Sequence, residues 1–444
     1  MNTLRILGRL APLLALVLAG CRPSPQLPVP TQDQLAWQRS EMNLFCHFGP
    51  NTFSGAEWGD GTEPEDLFCP TELDCRQWAR TAKAAGFGGI IVTAKHHDGF
   101  CLWPNPESTH TVAQSRWREG RGDVLAELSA ACREYGLGFG VYISPWDRHD
   151  PHYGTPAYND VYCRTLESVY DGRYGPIFEH WFDGACGEGP NGKIQEYDWE
   201  RFTGTIRRLQ PHTVQFSDIG PDCRWVGNEA GRAGRTSWST LSPEGFTPGA
   251  GAPPVDTLNC GHRHGTHWIP SETDISIRPG WFWKASETAS LKSVEELLRI
   301  YYESVGRNSV LLLNVPPDTR GRIDPADSLR LMEWRQALDG IFREDLAADG
   351  RLRRRGSTWT LTLPGERRFN RIVLQEDIAR GQRIAAFTVE ALTAEGWVPL
   401  AAETTVGYKR ILLVDDTAAT ALRVCVTDAL ARPLLSHIGL YLAH

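Results

Sequence analysis

The run Glu179-His180-Trp181-Phe182-Asp183-Gly184 ends an apolar stretch on a single carboxylate, beside a glycine that lets backbone and ligand approach closely. Asp183 is a candidate nucleophile, although an aspartate before glycine also suits a turn or a helix cap. A carboxylate so placed can attack a glycosidic carbon, or activate water there, if a second carboxyl, kept protonated, delivers a proton to the departing oxygen. The glycine-rich loop over Ser217–Gly231 offers Glu229 as that partner, with Trp225 able to desolvate a carboxyl and favour its acid form. Spacing alone does not separate Glu229 from Glu244 or Glu272, and each also reads as a solvated surface glutamate.

These residues need elements to position them. From about residue 35 to 345, short apolar runs alternate with amphipathic helical stretches, the pattern of repeated βα units around a parallel sheet. Candidate strands are 88–94, 138–144, 177–182, 213–217 and 309–314; helices are expected over 123–135 and 293–305, where apolar residues recur at three and four. Polar clusters follow the strands, as in Lys95-His96-His97-Asp98, Pro145-Trp146-Asp147-Arg148 and Asp183-Gly184. An α/β fold of the (β/α)8 barrel type brings the C-terminal ends of all strands to one mouth, and about 300 residues suit one such barrel. Residues 350–444 alternate differently, in runs such as 371–375, 387–391, 410–414 and 422–426 separated by turn residues. That texture predicts a C-terminal antiparallel β-sandwich, a domain that packs against the barrel or binds sugar.

Residues 1–20 carry Arg5 and Arg9 before an apolar run over 13–18 that is too short to span a bilayer, which reads as an export signal. Leu18-Ala19-Gly20-Cys21 looks like a bacterial lipobox, so Cys21 is the expected lipidation site and residues 21–34 a Pro-rich tether. The expected location is the cell envelope, with the chain anchored to a membrane rather than crossing it. Eleven cysteines at wide spacing show no framework; Cys69 with Cys75, or Cys223 with Cys260, are possible pairs, and free buried thiols fit equally well. A net charge of -8 disfavours nucleic acid as a partner. Sixteen Trp and twelve Tyr supply the flat apolar faces on which sugar rings stack.

Taken together, His47-Phe48-Gly49, Asn51-Thr52-Phe53, Glu57-Trp58-Gly59, Lys95–Phe100, Trp181–Gly184, the 217–231 loop, Trp238-Ser239-Thr240 and Arg278–Trp283 make the chain resemble glycoside hydrolase family 29, the α-L-fucosidases. The resemblance runs over nearly the whole mature length and is nearest to the subgroup acting on α-1,3- and α-1,4-linked fucose. It implies a retaining mechanism with Asp183 as nucleophile and Glu229 as acid/base. It also implies a fucose pocket lined by His47, Glu57, Trp58, His96, His97 and Trp181, with Trp283 near the methyl group of the sugar. Trp146 and Arg278 are further candidates for the pocket or its rim. Histidine and glutamate suit three sugar hydroxyls, and an aromatic wall suits one methyl.

Cys260-Gly261-His262-Arg263-His264-Gly265-Thr266-His267-Trp268 contains zinc-ligand residue types in a poor order for a structural site. The resemblance makes it a loop facing the sugars that carry the fucose, where Glu272 and Asp274 would also contact them. The glycine pattern over 187–192 matches a dinucleotide motif only formally, since no convincing helix follows it. The expected reaction calls for no cofactor and no metal, and the expected partner is a fucosylated glycan. A lipid-anchored protein that captures such glycans without cleaving them is the alternative.

Overall fold

The computed structural model describes residues 27–443. The expected signal at 1–20 and the lipidation site Cys21 lie outside them. Eight parallel strands close into a barrel: β1 Met42–Cys46, β2 Gly89–Lys95, β3 Gly138–Ile143, β4 Glu179–Trp181, β5 Val214–Ser217, β6 Cys223–Trp225, β9 Ser271–Ser276 and β10 Val310–Asn314. Between β6 and β9 a small antiparallel ribbon, β7 Thr240–Leu241 with β8 His267–Trp268, stands outside the barrel. Helices separate most strands, and their ends are set by local chemistry. Asp123 accepts from the backbone N–H of Ala126 to start Val124–Tyr135, and Ser293 and Glu296 form a capping box at the start of Val294–Glu303.

Three departures from the expected pattern have physical causes. The first helix, Gln32–Ser40, begins inside the stretch expected to be tether, because Thr31 and Gln34 cap each other reciprocally. No helix intervenes between β5 and β6, which are joined by residues 218–222 alone. Strand β9, read as Ser-Glu-Thr-Asp-Ile-Ser, has no apolar run, yet all six residues are buried.

Side chains alternate across each strand, so Phe45, Ile91, Tyr142, Trp181, Phe216 and Leu312 fill the barrel interior as one cluster. The opposite faces pack on the surrounding helices, where Trp78, Trp103 and Trp334 are fully buried.

The C-terminal domain is a six-stranded antiparallel network of β11 Arg351–Arg355, β12 Thr358–Glu376, β13 Ile384–Thr393, β14 Gly396–Glu403, β15 Arg410–Ala429 and β16 Leu435–Tyr441. Both halves of the long β12 contribute to one core, with Trp359 and Leu361 from one and Ile372 and Leu374 from the other. The domain is tied to the barrel by Glu403, which pairs with Arg235 and Arg410, and by Asn308, which donates to Ser237 O and accepts from Tyr408 N–H. The ten described cysteines are all free and six of them are buried, so neither candidate pair is bonded. No helix of the described residues is long and apolar enough to cross a membrane.

Candidate active site

Asp183 lies two residues past Trp181, the last residue of β4, so the strand that buries Trp181 carries its carboxyl to the barrel mouth. Asp183 Oδ2 accepts a 2.9 Å hydrogen bond from the Tyr142 hydroxyl, and Oδ1 accepts one of 2.7 Å from the Ala185 N–H. His97 Nε2 lies 3.7 Å from Oδ2. A Cβ at Gly184 would stand 2.4 Å from an oxygen of Asp218, so any side chain there would displace that carboxyl.

From Asp183 an aromatic wall runs around the mouth. His97 lies tilted against Trp146 at 4.8 Å, His96 meets His97 at 4.2 Å, and His47 meets His96 at 5.8 Å and Trp281 at 5.0 Å between ring centres. His47 Nδ1 pairs with Asn314 Oδ1 at 2.9 Å and His97 Nδ1 with Ser144 Oγ at 2.8 Å, so second-layer groups orient both rings. Burial pushes His47 down to about 3, His97 down to about 4 and His96 well below the usual histidine range. All three are therefore neutral near pH 7, each ring offering one donor and one acceptor. Trp58 is exposed and stands edge-on to both His97 and Trp146. Glu57 accepts from the Trp281 N–H at 2.8 Å and is paired with Lys284.

Glu229 lies in the loop after β6. It shares a cavity of about 280 Å³ with Asp183, Asp218, Trp181, Trp225 and Asp274. Partial burial, and then the charge of Asp183, raise its carboxyl above the usual glutamate range, although Trp281 pulls the other way. Asp274 is buried beside it and accepts from Trp225 Nε1 at 2.9 Å; burial and then Glu229 raise it strongly. Burial also raises Asp218 to about 6, with Asp183 adding to the shift and the Gly249 N–H opposing it.

The structure thus brings His47, Glu57, Trp58, His96, His97, Trp146, Trp181, Asp183 and Glu229 around one mouth. Arg278 is not among the exposed groups there. It is wholly buried in a bidentate pair with Asp327, at 2.8 and 2.9 Å, and cannot reach a ligand. Trp283 donates to Asp324 at 3.1 Å and lies over Arg278, whereas its neighbours Trp281 and Phe282 meet the histidines. Of the glutamates that spacing left open, Glu244 is exposed and bonded to Thr266, and Glu272 is sealed beneath Trp181. The 260–268 loop holds Arg263 against Asp428 of the C-terminal domain. Among the described residues no three His, Cys, Asp or Glu side chains cluster in a way that could hold a metal ion.

Asp218 carries a sequence signal as an acid directly after a strand, Trp281 and Phe282 lie within the 278–283 motif without a role of their own, and Tyr142 reads only as a strand residue. The contacts of these three aromatic residues with the histidines are set by tertiary packing.

A closed parallel barrel whose mouth joins two carboxyls, neutral histidines and tryptophans is the site of a carbohydrate-cleaving barrel enzyme. The sequence profile of the family described as Alpha-L-fucosidase matches residues 32–338, and the chain belongs to that glycoside hydrolase family. It is 42% identical to Alpha-L-fucosidase 1 of Arabidopsis thaliana, covering 95% of this chain and 88% of the relative. A crystal structure of a glycoside hydrolase 29 family member from an unknown rumen bacterium superposes with a TM-score of 0.90 at 42% identity, covering 95% of this chain and 78% of that one. A Ruminococcus gnavus GH29 fucosidase in complex with fucose superposes with a TM-score of 0.84 at 31% identity, over 94% and 95% of the two chains.

Proposed function

We propose that this protein is an exo-acting α-L-fucosidase that removes terminal α-1,3- or α-1,4-linked L-fucose from glycans by double displacement with retention. The observation that carries the reading is the shared cavity: Asp183, oriented by two donors, and Glu229, biased toward its acid form, both open onto it. In the first step an oxygen of Asp183 attacks the anomeric carbon as its bond to the leaving oxygen breaks and Glu229 passes its proton to that oxygen. In the second, Glu229 takes a proton from water, whose oxygen attacks the same carbon and releases Asp183. The neutral histidines suit the sugar hydroxyls, and the tryptophans suit its apolar face and methyl group.

The linkage preference is supported by the motifs shared with the 1,3/1,4-specific subgroup, and the fucose-bound relative supports the sugar. The Leu18–Cys21 motif supports export as a lipid-anchored envelope protein. Free fucose released from oligosaccharides with α-1,2, α-1,3, α-1,4 and α-1,6 linkages tests the reading. Turnover of the α-1,3 and α-1,4 members that is lost in Asp183→Ala is expected; Asp183→Ala activity near that of the wild type overturns it. Replacing Cys21 by Ala is expected to move the protein out of the membrane fraction, and unchanged partitioning would refute the anchor.

A further inference from the structure

Beneath the pocket the barrel interior holds two glutamates that the reaction above does not use. Glu179 stands on β4 and Glu272 on β9, and both are completely buried. Alternation along the strands puts Glu179 on the inward face with Trp181 and Glu272 on the inward face with Asp274. Trp37 Nε1 donates to Glu179 Oε2 at 2.8 Å, and Trp181 Nε1 donates to Glu272 Oε2 at 2.8 Å. The second oxygen of each, Oε1 in both, is buried with no donor from the rest of the described protein.

Two ionised carboxylates in that setting would each leave a desolvated oxygen unpaired and would repel one another. A single proton removes both costs. Carried on Glu272 and donated to Glu179, it would give all four oxygens a partner: two indole N–H groups and one shared O–H. The two groups do perturb each other: burial raises both carboxyls above the usual glutamate range, and the charge of Glu179 raises Glu272 further.

We propose that Glu179 and Glu272 share a proton across the barrel interior, and that this acid pair is a positioning device that fixes Trp181 beneath the reacting sugar. The second half rests on Asp183 being the nucleophile. Trp181 lies flat on Phe216, at 3.9 Å between ring centres and 6° between planes, and stacks on Tyr142 at 5.6 Å. Tyr142 in turn donates to Asp183. The indole is thus held at its edge by Glu272 and on its faces by Phe216 and by Tyr142, which leads to the nucleophile.

Glu272→Gln preserves this arrangement without the proton, because the amide oxygen accepts from Trp181 and the amide nitrogen donates to Glu179. The infrared difference between wild type and Glu272→Gln at neutral pH is expected to show a lost carboxylic-acid C=O band, with kcat within about threefold of wild type. Glu272→Leu leaves the indole unpaired. It is expected to change the near-ultraviolet circular dichroism of the tryptophans and to lower kcat at least about tenfold with little change in KM.

If Glu272→Leu does not fold, Trp181→Phe keeps the stack without the bond and is expected to show the same split between kcat and KM. A difference spectrum without an acid band overturns the shared proton. Equal losses of kcat in Glu272→Gln and Glu272→Leu, or in Trp181→Phe a fall confined to KM, overturn the positioning role. Should the wild-type protein release no fucose, the functional reading fails, while the infrared and dichroism results still decide the proton and the anchoring of Trp181.

Discussion

The Tyr142 hydroxyl, carried on β3, donates a 2.9 Å hydrogen bond to Asp183 Oδ2 just beyond the end of β4. Complete burial, reinforced by the negative charge of Asp183, pushes the phenol well above its usual range, so it remains a donor at any working pH. A hydrogen bond to a charged acceptor contributes about 1.5–3 kcal/mol, which corresponds to roughly 10- to 100-fold in rate when the bond serves to aim the attacking oxygen. Tyr142→Phe retains the ring that stacks on Trp181 and His96 and loses only the hydroxyl. The expected result is a fall of that size in kcat with KM little changed. Steady-state kinetics on a fucosylated trisaccharide check it, and a loss confined to KM would show that the hydroxyl serves binding alone.

Glu229 is expected to reveal its role through the leaving group. With Glu229→Ala, a natural linkage, whose departing alkoxide needs a proton, should lose far more activity than an aryl fucoside, whose phenolate does not. Added azide should then accelerate turnover of the aryl substrate and give the α-configured fucosyl azide, since it attacks an intermediate already inverted once. NMR of the product reads this directly, and the β-configured azide would contradict the assignment.

In the proposed mechanism the raised carboxyl of Glu229 is protonated for the first step, so activity is expected below its folded-state pKa and should fall as pH rises through it. The kcat/KM profile should therefore show an alkaline limb in the wild type that is absent from Glu229→Gln assayed on the aryl substrate.

Much of this site is written in local patterns, because a barrel strand that is apolar and ends on polar residues announces both itself and its position. Strands β2 and β3 are such runs, followed by His96 and His97 and by Trp146, and Asp183 lies just past β4. Strand β9 is hidden for the opposite reason. Its Glu272 and Asp274 are buried and each accepts a hydrogen bond from a tryptophan of another strand, Trp181 and Trp225, so a polar sequence occupies a core position. Arg278 misleads in the same way, since the acid that neutralises it is Asp327, 49 residues further along the chain. Long-range pairing decides which charged residues are available to a ligand, and a single stretch of sequence does not carry that information.

That pair yields a stability prediction. Arg278 and Asp327 side chains are both wholly inaccessible, and removing one partner leaves the other as an uncompensated buried charge. Arg278→Met should destabilise the protein by about 3–5 kcal/mol, while Arg278→Met combined with Asp327→Leu should recover much of the loss. Denaturant unfolding of the two variants checks this. Equal destabilisation in both would mean that packing, rather than charge, holds the segment.

Glu376, buried at the end of β12, accepts from the backbone N–H groups of Gly407, Arg383 and Ile384 at 2.8, 2.9 and 3.0 Å. Burial nevertheless raises its carboxyl to about 7 against an ordinary 4.5, the three donors only moderating the shift. The folded protein therefore holds a proton here that the unfolded chain has released between pH 4.5 and 7. The contribution of Glu376 to stability accordingly falls as pH rises through that window, by roughly 3 kcal/mol in all. Glu376→Gln removes the titration. Its stability relative to wild type should rise between pH 4.5 and 7 and level off above, because the wild type alone loses stability there. A difference in unfolding free energy that stays constant across the window would show that the carboxyl is ionised throughout, held so by its three backbone donors.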